Sequence, residues 1–182
     1  MEFDPTSLPD VVLIRSQAFG DERGRLAETY RADVFAAAGV RQPFVQENLS
    51  TSHRGTLRGL HYQIQQAQGK LVTVLAGEIY DVAVDLRRTS PTFGQWVGLR
   101  LSAEPVHLLW IPPGFAHGFY AMSDSAHVLY KLTDYYAPAW ERTVIWNDPQ
   151  LAIDWPLAGG NPPRLSTKDA AGVALARAEV FD

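Results

Sequence analysis

A series of short β-rich runs separated by glycine and proline turns is the feature that most constrains how this chain can fold. Five such runs follow one another in the middle and later part of the chain: 71–75, 79–86, 96–101, 106–111 and 126–133. They recur at roughly the 8 to 12 residue spacing that is typical of sandwiches and barrels, and helical periodicity is largely missing. Ala76 and Gly77, between the first two runs, indicate a hairpin. The pattern therefore predicts an all-β sandwich or barrel.

The first third of the chain adds shorter elements. Strand character is predicted in three places: 11–14, 26–30 and 44–49. Residues 31–38 predict one short helix, closed by Gly39 as its C′ residue. By composition, residues 19–24 are predicted to form a turn-rich segment and residues 50–55 a loop.

Length and composition narrow the class of protein further. The chain has 182 residues, of which 46% are hydrophobic and 20% charged, so we expect one domain over residues 1–182. A net charge of -4 argues against a nucleic-acid partner held by phosphate contacts. The absence of cysteine excludes disulfides, thiolate zinc sites and a cysteine nucleophile. Met1–Asp10 lacks a signal pattern and no apolar run would span a bilayer, so we expect a cytoplasmic protein without membrane contact.

The six residues from Arg58 to Gln63 carry an unusual density of polar groups for a strand. Each buried polar group needs a hydrogen-bond partner, so a structural strand rarely holds a cation, a histidine and an amide together. If the strand is regular, Gly59, His61 and Gln63 share one face and Arg58 lies on the other. We therefore expect His61 to point inward.

A metal site is the first chemistry to test for that histidine. No two of the five histidines are two apart on a strand or four apart on a helix, as a local chelate requires. Gln63 stands where a second strand ligand would lie beside His61. A site of two histidines and a carboxylate from separated positions stays open, but we expect no metal.

General acid and base catalysis fits these residues better than nucleophilic catalysis, because no glycine-flanked serine follows a strand. His61 has a reference pKa near 6.5 and suits a base, provided that a carboxylate orients its ring. Tyr130 lies in a predicted strand and can present an acidic hydroxyl. The plain alternatives are a hydrogen-bonded core histidine and an ordinary strand aromatic. Asp169 has a plain alternative too, since Ser166 and Asp169 resemble a capping box, and spacing alone does not pair Asp169 with His61.

Scattered cations point to an anionic ligand. Four of them suit a phosphate or carboxylate through charge-assisted hydrogen bonds: Arg23, Arg58, Lys70 and Lys168. Three aromatics near them can stack on a base: Phe19, Tyr135 and Tyr136. Gln46 and Asn48 share a face of the strand at 44–49, and Arg23 and Glu28 also fit plain surface charges. Composition and spacing thus lead to an all-β barrel with an anionic ligand.

Eight motifs run in order along nearly the whole chain: FGDERG (19–24), LRGLHYQ (57–63), QGKL (68–71), GEIYDVAVDLR (77–87), IPPGFAHGF (111–119), YK (130–131), TDYY (133–136) and LSTKD (165–169). Together they resemble the dTDP-4-dehydrorhamnose 3,5-epimerase family of deoxysugar biosynthesis. The resemblance implies an all-β cupin jelly-roll fold with a few short peripheral helices.

The resemblance also implies an activity and roles. The implied reaction inverts C3 and C5 of dTDP-4-keto-6-deoxy-D-glucose to give dTDP-4-keto-L-rhamnose, for cell-surface polysaccharide or antibiotic sugars, without a cofactor. His61 would be the general base oriented by Asp169, Tyr130 the general acid, and Lys70 the cation that stabilises the enolate. Alternatives are a single-centre epimerase of a related dTDP-4-keto sugar, a metal-dependent cupin and a non-catalytic sugar-binding cupin.

By the same resemblance, eleven residues would bind the nucleotide sugar: Phe19, Arg23, Glu28, Gln46, Asn48, Arg58, Lys70, His117, Tyr136, Glu141 and Lys168. The arginines would hold the diphosphate and Tyr136 would stack on the thymine. Arg23 and Glu28 would reach the site of a neighbouring subunit, which implies a homodimer with shared active sites.

Overall fold

Two antiparallel sheets packed face to face form the body of the computed structural model, which describes residues 1–182. The strands are β1 (Glu2–Pro5), β2 (Val12–Arg15), β3 (Ala18–Asp21), β4 (Gly24–Ala27), β5 (Gln46–His53), β6 (Leu57–Gln63), β7 (Lys70–Ala76), β8 (Glu78–Asp85), β9 (Trp96–Ser102), β10 (His107–Ile111), β11 (Phe115–Ala121), β12 (Ser125–Leu132) and β13 (Glu141–Thr143). The helices are α1 (Ala32–Ala37) and α2 (Thr167–Ala170), with single 3₁₀ turns at Pro138–Trp140, Ala158–Gly160 and Leu175–Arg177. No helix is both long and apolar enough to cross a membrane.

The strand order within each sheet follows from long-range pairing. One sheet has six strands in the order β1-β2-β10-β7-β12-β5, and the other has five in the order β13-β6-β11-β8-β9. Strands β3 and β4 form a separate two-stranded hairpin. This is the cupin jelly roll that the resemblance implied, and the predicted all-β class is confirmed.

The main core lies between the two sheets. Inward residues of the six-stranded sheet, such as Val72 and Leu109, pack against inward residues of the five-stranded sheet, such as Ile79 and Phe119. Each of these side chains is nearly inaccessible to water, and such burial is the main source of stability in a sandwich.

Both outer faces are also covered. Phe35 of α1 packs with Leu71 and Trp110 on the outside of the six-stranded sheet. The segment after β13 covers the five-stranded sheet, where Trp155 and Leu175 join a second apolar cluster.

Most predicted elements are confirmed. The five late runs correspond to β7, β8, β9, β10 and β12, the helix at 31–38 is α1, and Gly39 follows it with a positive φ of 97°. The hairpin at Ala76 and Gly77 joins β7 to β8. The turn at 112–114 leads into β11, which carries His117.

Two predictions about the first third of the chain are wrong. Residues 50–53 continue β5 instead of forming a loop, because β5 pairs with β12 along its whole length, as far as His53 opposite Ser125. The strand predicted at 26–30 ends at Ala27, and its partner is β3, in the segment predicted as turns. Serine and threonine at 50–53 and glycine at 19–24 are typical of loops and turns, whereas cross-strand pairing decides the structure of both segments.

Candidate active site

A polar cavity of about 440 Å³ opens between the two sheets. Ten of the residues predicted for the site line it: Gln46, Asn48, Arg58, His61, Lys70, His117, Tyr130, Tyr136, Glu141 and Lys168. They come from β5, β7 and β12 on one side, from β6 and β11 on the other, and from the later segments at the rim. Sequence-distant residues are thus collected in one place by the sandwich.

A bulge in β6 turns Arg58 and His61 to the same cavity. His117 on β11 lies opposite His61, but Phe119, two residues on, lies opposite Arg58, so β6 contains one extra residue. A Cβ at Gly59 would lie 2.5 Å from Cα of Gly118, and Gly59 has a φ of +134°, so glycine is required there. The prediction that Arg58 lies on the face opposite His61 is therefore wrong, because that prediction assumed a regular strand.

The imidazole of His61 is held by a buried carboxylate. Its Nε2 lies 2.5 Å from Oδ1 of Asp169, a residue 108 positions later that is only 3% exposed. Asp169 also accepts hydrogen bonds from the backbone N–H of Gly59 and, through Oδ2, from the hydroxyl of Ser166 at 2.6 Å. Ser166 Oγ in turn accepts from the Asp169 backbone N–H, which caps α2. Asp169 therefore does both: its backbone N–H takes part in the cap of α2, and its carboxylate binds His61.

The charge of Asp169 fixes the tautomer of His61. Burial by itself would raise the pKa of Asp169, but the hydrogen bonds from His61 and Ser166 outweigh it and lower the pKa to about 2. An ionised carboxylate can only accept, so Nε2 of His61 carries the proton. The other ring nitrogen, Nδ1, has no hydrogen bond within the chain and keeps its lone pair free.

The protonation of His61 is set mainly by its burial. Desolvation lowers its pKa below 6.5, the hydrogen bond to Asp169 opposes that shift, and the nearby charge of Lys70 adds to it. The net pKa is lowered, so the ring is neutral at neutral pH. A neutral, oriented imidazole with one free nitrogen is suited to remove a proton.

Lys70 brings a cation to the same wall. Its Nζ donates to the backbone carbonyl of His61 at 3.2 Å. Burial lowers the pKa of Lys70 to about 8, and the negative charges of Asp81 and Glu141 limit the drop. The ammonium group is therefore still mostly charged at neutral pH, but close to its titration point.

Tyr130 faces the cavity from the other sheet. It lies on β12 opposite Asn48 of β5, whereas His61 lies on β6 of the five-stranded sheet. Burial raises the pKa of Tyr130, while the charge of Arg58 and the side chain of Asn48 oppose that rise. The hydroxyl is protonated at neutral pH and can donate a proton.

His117 is a second histidine with a buried carboxylate. Its Nε2 lies 3.0 and 2.9 Å from the two carboxylate oxygens of Asp81, and both residues are buried. His117 therefore reaches the cavity wall with one nitrogen already committed.

The rim of the cavity carries a small network. Glu141 accepts from the hydroxyl of Tyr136 at 2.8 Å and from Nζ of Lys168 at 2.5 Å. Burial would raise the pKa of Glu141, but these two hydrogen bonds outweigh it, so the carboxylate stays ionised. Arg58, further in, donates to Oγ of Ser52 at 3.0 Å.

Three of the predicted binding residues lie outside this cavity. Phe19 and Arg23 belong to the β3–β4 hairpin, where Phe19 is 63% exposed and Arg23 is paired with Asp21. They line a smaller cavity of about 230 Å³ on that hairpin. Glu28 follows β4 and is exposed next to Arg31. A single chain does not bring these residues to His61.

Sequence reasoning missed two residues of the site, Gln68 and the fully buried Asp81. Gln68 lines the wall and Asp81 holds His117. Both lie inside quoted motifs, at 68–71 and 77–87, so those motifs were the available signal.

No group of three or more histidine, aspartate or glutamate side chains is arranged to hold a metal ion. His61 and His117 are adjacent across β6 and β11, but Nε2 of each is bound to an aspartate. The expectation of no metal stays a prediction that elemental analysis of the purified protein would test.

Comparisons with known proteins extend along the whole chain. A model of the dTDP-4-dehydrorhamnose 3,5-epimerase family matches residues 5–177. A dTDP-4-dehydrorhamnose 3,5-epimerase from Pseudomonas aeruginosa is 57% identical over 176 residues, which are 96% of this chain and 96% of that protein.

Solved structures give the same result. The crystal structure of a dTDP-6-deoxy-D-glucose-3,5-epimerase from Legionella pneumophila in complex with dTDP-4-keto-L-rhamnose is similar at a TM-score of 0.95 and 51% identity, and the match covers 98% of this chain and 94% of that one. The structure of a 3'-monoepimerase from Streptomyces bikiniensis in complex with dTDP-quinovose is similar at a TM-score of 0.88 and 35% identity, with 94% and 87% coverage. The likeness is therefore one of the entire fold.

Proposed function

The chain belongs to the dTDP-4-dehydrorhamnose 3,5-epimerase family, and from that premise we propose how its cavity acts on dTDP-4-keto-6-deoxy-D-glucose. In this proposal the enzyme inverts C3 and C5 of that sugar and produces dTDP-4-keto-L-rhamnose. The single observation that carries the mechanism is that His61 and Tyr130 line one cavity from opposite sheets.

Inversion needs two proton-transfer groups on opposite faces of the sugar ring. Nδ1 of His61 removes the proton from the carbon next to the C4 ketone, and the electron pair of that C–H bond moves to form an enolate with its charge on O4. The Tyr130 hydroxyl then donates a proton to the carbon from the other face, and O4 becomes a ketone again. Before the next inversion the imidazolium of His61 releases its proton to water and the phenolate of Tyr130 takes one up from water. A single group on one face would restore the starting configuration.

Two further groups assist the enolate. Lys70 supplies a positive charge from a desolvated position in the cavity wall, where it stabilises the oxyanion more strongly than it would in solution. Asp169 stabilises the imidazolium that forms when His61 takes the proton, because its carboxylate is already hydrogen-bonded to Nε2. Neither step requires a redox change or an added cofactor.

The remaining polar residues of the cavity bind the nucleotide sugar in this proposal. Arg58 contacts the diphosphate, since guanidinium groups match phosphate oxygens in geometry and charge. Tyr136 stacks on the thymine, and its half-exposed ring at the rim supports that role. Gln46, Asn48, His117, Glu141 and Lys168 line the same cavity and contact the sugar and phosphates.

We extend the proposal to a homodimer with shared active sites. Phe19 and Leu26 on the β3–β4 hairpin are 63% and 75% exposed, an apolar surface that a second chain would cover. Arg23 and Glu28 would then complete the partner's cavity. Sedimentation analysis that gave only a monomer at micromolar concentration would contradict this part. A cytoplasmic location stays a prediction.

Isotope exchange tests the function directly. Incubation of dTDP-4-keto-6-deoxy-D-glucose with the enzyme in deuterium oxide should introduce deuterium at both C3 and C5, and NMR should identify the L-rhamno product. Exchange at one carbon alone would favour the second candidate, a single-centre epimerase. The structural similarity to a 3'-monoepimerase supports that candidate. No exchange at either carbon would contradict both.

The pH dependence of kcat/KM should be bell-shaped. The acid limb should lie below pH 6.5. Burial lowers the pKa of His61 from 6.5, and the imidazole loses its base form only when the pH drops through that lowered pKa. The alkaline limb should lie near pH 8, where Lys70 loses its charge. Kinetics in overlapping buffers on either side of neutrality would measure both limbs.

Substitution of Lys70 checks the origin of the alkaline limb. Lys70→Arg should move that limb to higher pH, because the guanidinium group stays protonated, although the larger side chain lowers the rate. Lys70→Gln should lower kcat and remove the limb. An alkaline limb that stays near pH 8 in both variants would assign it to another group.

A further inference from the structure

The segment 133–137 connects β12 to the 3₁₀ turn at Pro138–Trp140 and carries two exposed aromatics. Tyr135 is 61% and Tyr136 51% exposed, and the segment is neither helix nor strand. Backbone N–H and C=O groups without a secondary-structure partner need another one. Four backbone groups of this segment, in residues 134–137, find that partner in glutamine side chains of the cavity wall.

Gln63 forms hydrogen bonds with two backbone groups of the segment. Its Nε2 donates to the carbonyl of Tyr135 at 3.2 Å and to that of Gln66 at 2.8 Å, and its Oε1 accepts from the N–H of Ala137 at 2.8 Å. Gln63 is only 4% exposed, so its amide is fully committed to backbone groups. A carboxylate could not donate and an ammonium group could not accept, so only an amide makes this set of bonds.

Two other glutamines bind neighbouring backbone groups of the segment. Nε2 of Gln68 donates to the carbonyl of Asp134 at 2.9 Å. Oε1 of Gln46 accepts from the N–H of Tyr136 at 2.9 Å. We call Gln46, Gln63 and Gln68 the glutamine clamp.

The clamp fixes the base of the Tyr136 side chain, and Glu141 fixes its tip. The phenol hydroxyl of Tyr136 donates to Glu141 at 2.8 Å, while the backbone N–H is held by Gln46. The aromatic ring at the mouth of the cavity is thus restrained at both ends without being packed in the core. A ring that is already oriented loses little conformational entropy when a planar base stacks on it.

We propose that Gln63 and Gln68 are positioning residues for nucleotide binding, which act through the backbone of 134–137 to hold Tyr136 where the base of a nucleoside diphosphate stacks. The proposal rests on the proposed function for the identity of the ligand. Gln46 is set apart because it is already expected to contact the substrate. Gln63 and Gln68 contribute to affinity for the nucleotide and not to proton transfer.

Binding of dTDP without a sugar tests the clamp. Gln63→Leu and Gln68→Leu should each weaken dTDP binding, measured by calorimetry, by up to the roughly ten- to hundredfold loss expected when one aromatic stacking contact is removed. KM should rise with them, while kcat stays near that of the unsubstituted enzyme. Gln95→Leu is the matched control and should leave both unchanged, since Gln95 is exposed and its one side-chain hydrogen bond is to the Pro91 carbonyl.

A double-mutant cycle separates positioning from general loosening. In a Tyr136→Ala background, Gln63→Leu and Gln68→Leu should weaken dTDP binding little further, because the group that they position is gone. Fully additive losses would overturn the proposal. Faster hydrogen exchange of the Ala137 amide in Gln63→Leu provides a readout that needs no ligand.

The results that would contradict the role of the glutamine clamp differ from those that would contradict the epimerase function. Unchanged dTDP affinity in both leucine variants of an active enzyme overturns the clamp alone. Absence of epimerisation by the unsubstituted enzyme, with dTDP still bound, overturns the proposed function alone. If Gln63→Leu does not fold, Gln68→Leu, at a half-buried position, decides the question.

Discussion

Replacement of His61 by asparagine is expected to lower the epimerisation rate by about 10² to 10⁴, the range that a general base contributes. Asparagine can still bond to Asp169, but it has no basic nitrogen in the cavity. Without the base no enolate forms, so deuterium exchange should fall at C3 and C5 together. NMR of substrate incubated in deuterium oxide measures both positions in one experiment.

Two comparisons make the His61 result specific. His53→Asn, at an exposed position at the end of β5, should retain full activity. Asp169→Asn should lower kcat less than His61→Asn does, since it removes the orienting charge but leaves the imidazole. Binding of dTDP should be similar in all three variants, and exchange at the normal rate in His61→Asn would refute its role as the base.

Replacement of Tyr130 by phenylalanine should separate exchange from inversion. The base remains, so His61 can remove a proton and return a deuteron from solvent to the same face. Inversion should fall by about 10² to 10⁴, because no acid faces the ring from the six-stranded sheet. Exchange without inversion, measured as deuterated but unchanged substrate, is the expected signature.

The matched control for this substitution is Tyr30→Phe. Tyr30 packs against Phe35 and Phe44, outside the cavity, and its hydroxyl makes no hydrogen bond in the chain. Its loss should not affect the rate. Equal losses of exchange and inversion in Tyr130→Phe would instead indicate that Tyr130 orients the substrate and does not act as the acid.

The strands that sequence predicted well are those whose signal is local. β7, β8 and β12 are rich in apolar, β-branched and aromatic residues and are bounded by turns, so residue type alone indicates them. The predicted strand at 44–49 ends before Ser50, because the composition of residues 50–53 is typical of a loop. The ladder of β5 with β12 stabilises that part of the strand, and a ladder cannot be seen in one segment.

The candidate site shows the same division. His61 and Tyr130 were found as chemically suitable groups on predicted strands, and the motifs that resemble the epimerase family supplied their implied roles. Alternation of faces misplaced Arg58, because it could not anticipate the bulge at Gly59, where the backbones of β6 and β11 approach closely. The hydrogen bonds of the glutamine clamp could not be inferred from neighbouring residues, since the partners of all three side chains include backbone groups of residues 134–137, far along the chain.

The sequence by itself determined the all-β class, the polar character of residues 58–63 and, through its ordered motifs, the family. Only the tertiary structure decided that Asp169 holds His61, that Tyr130 faces it from the other sheet, and that three glutamines grip one connecting segment. The physical reason is that strand propensity and polarity belong to neighbouring residues. Contacts between residues such as His61 and Asp169, 108 positions apart, arise only when long-range strand pairing closes the sandwich.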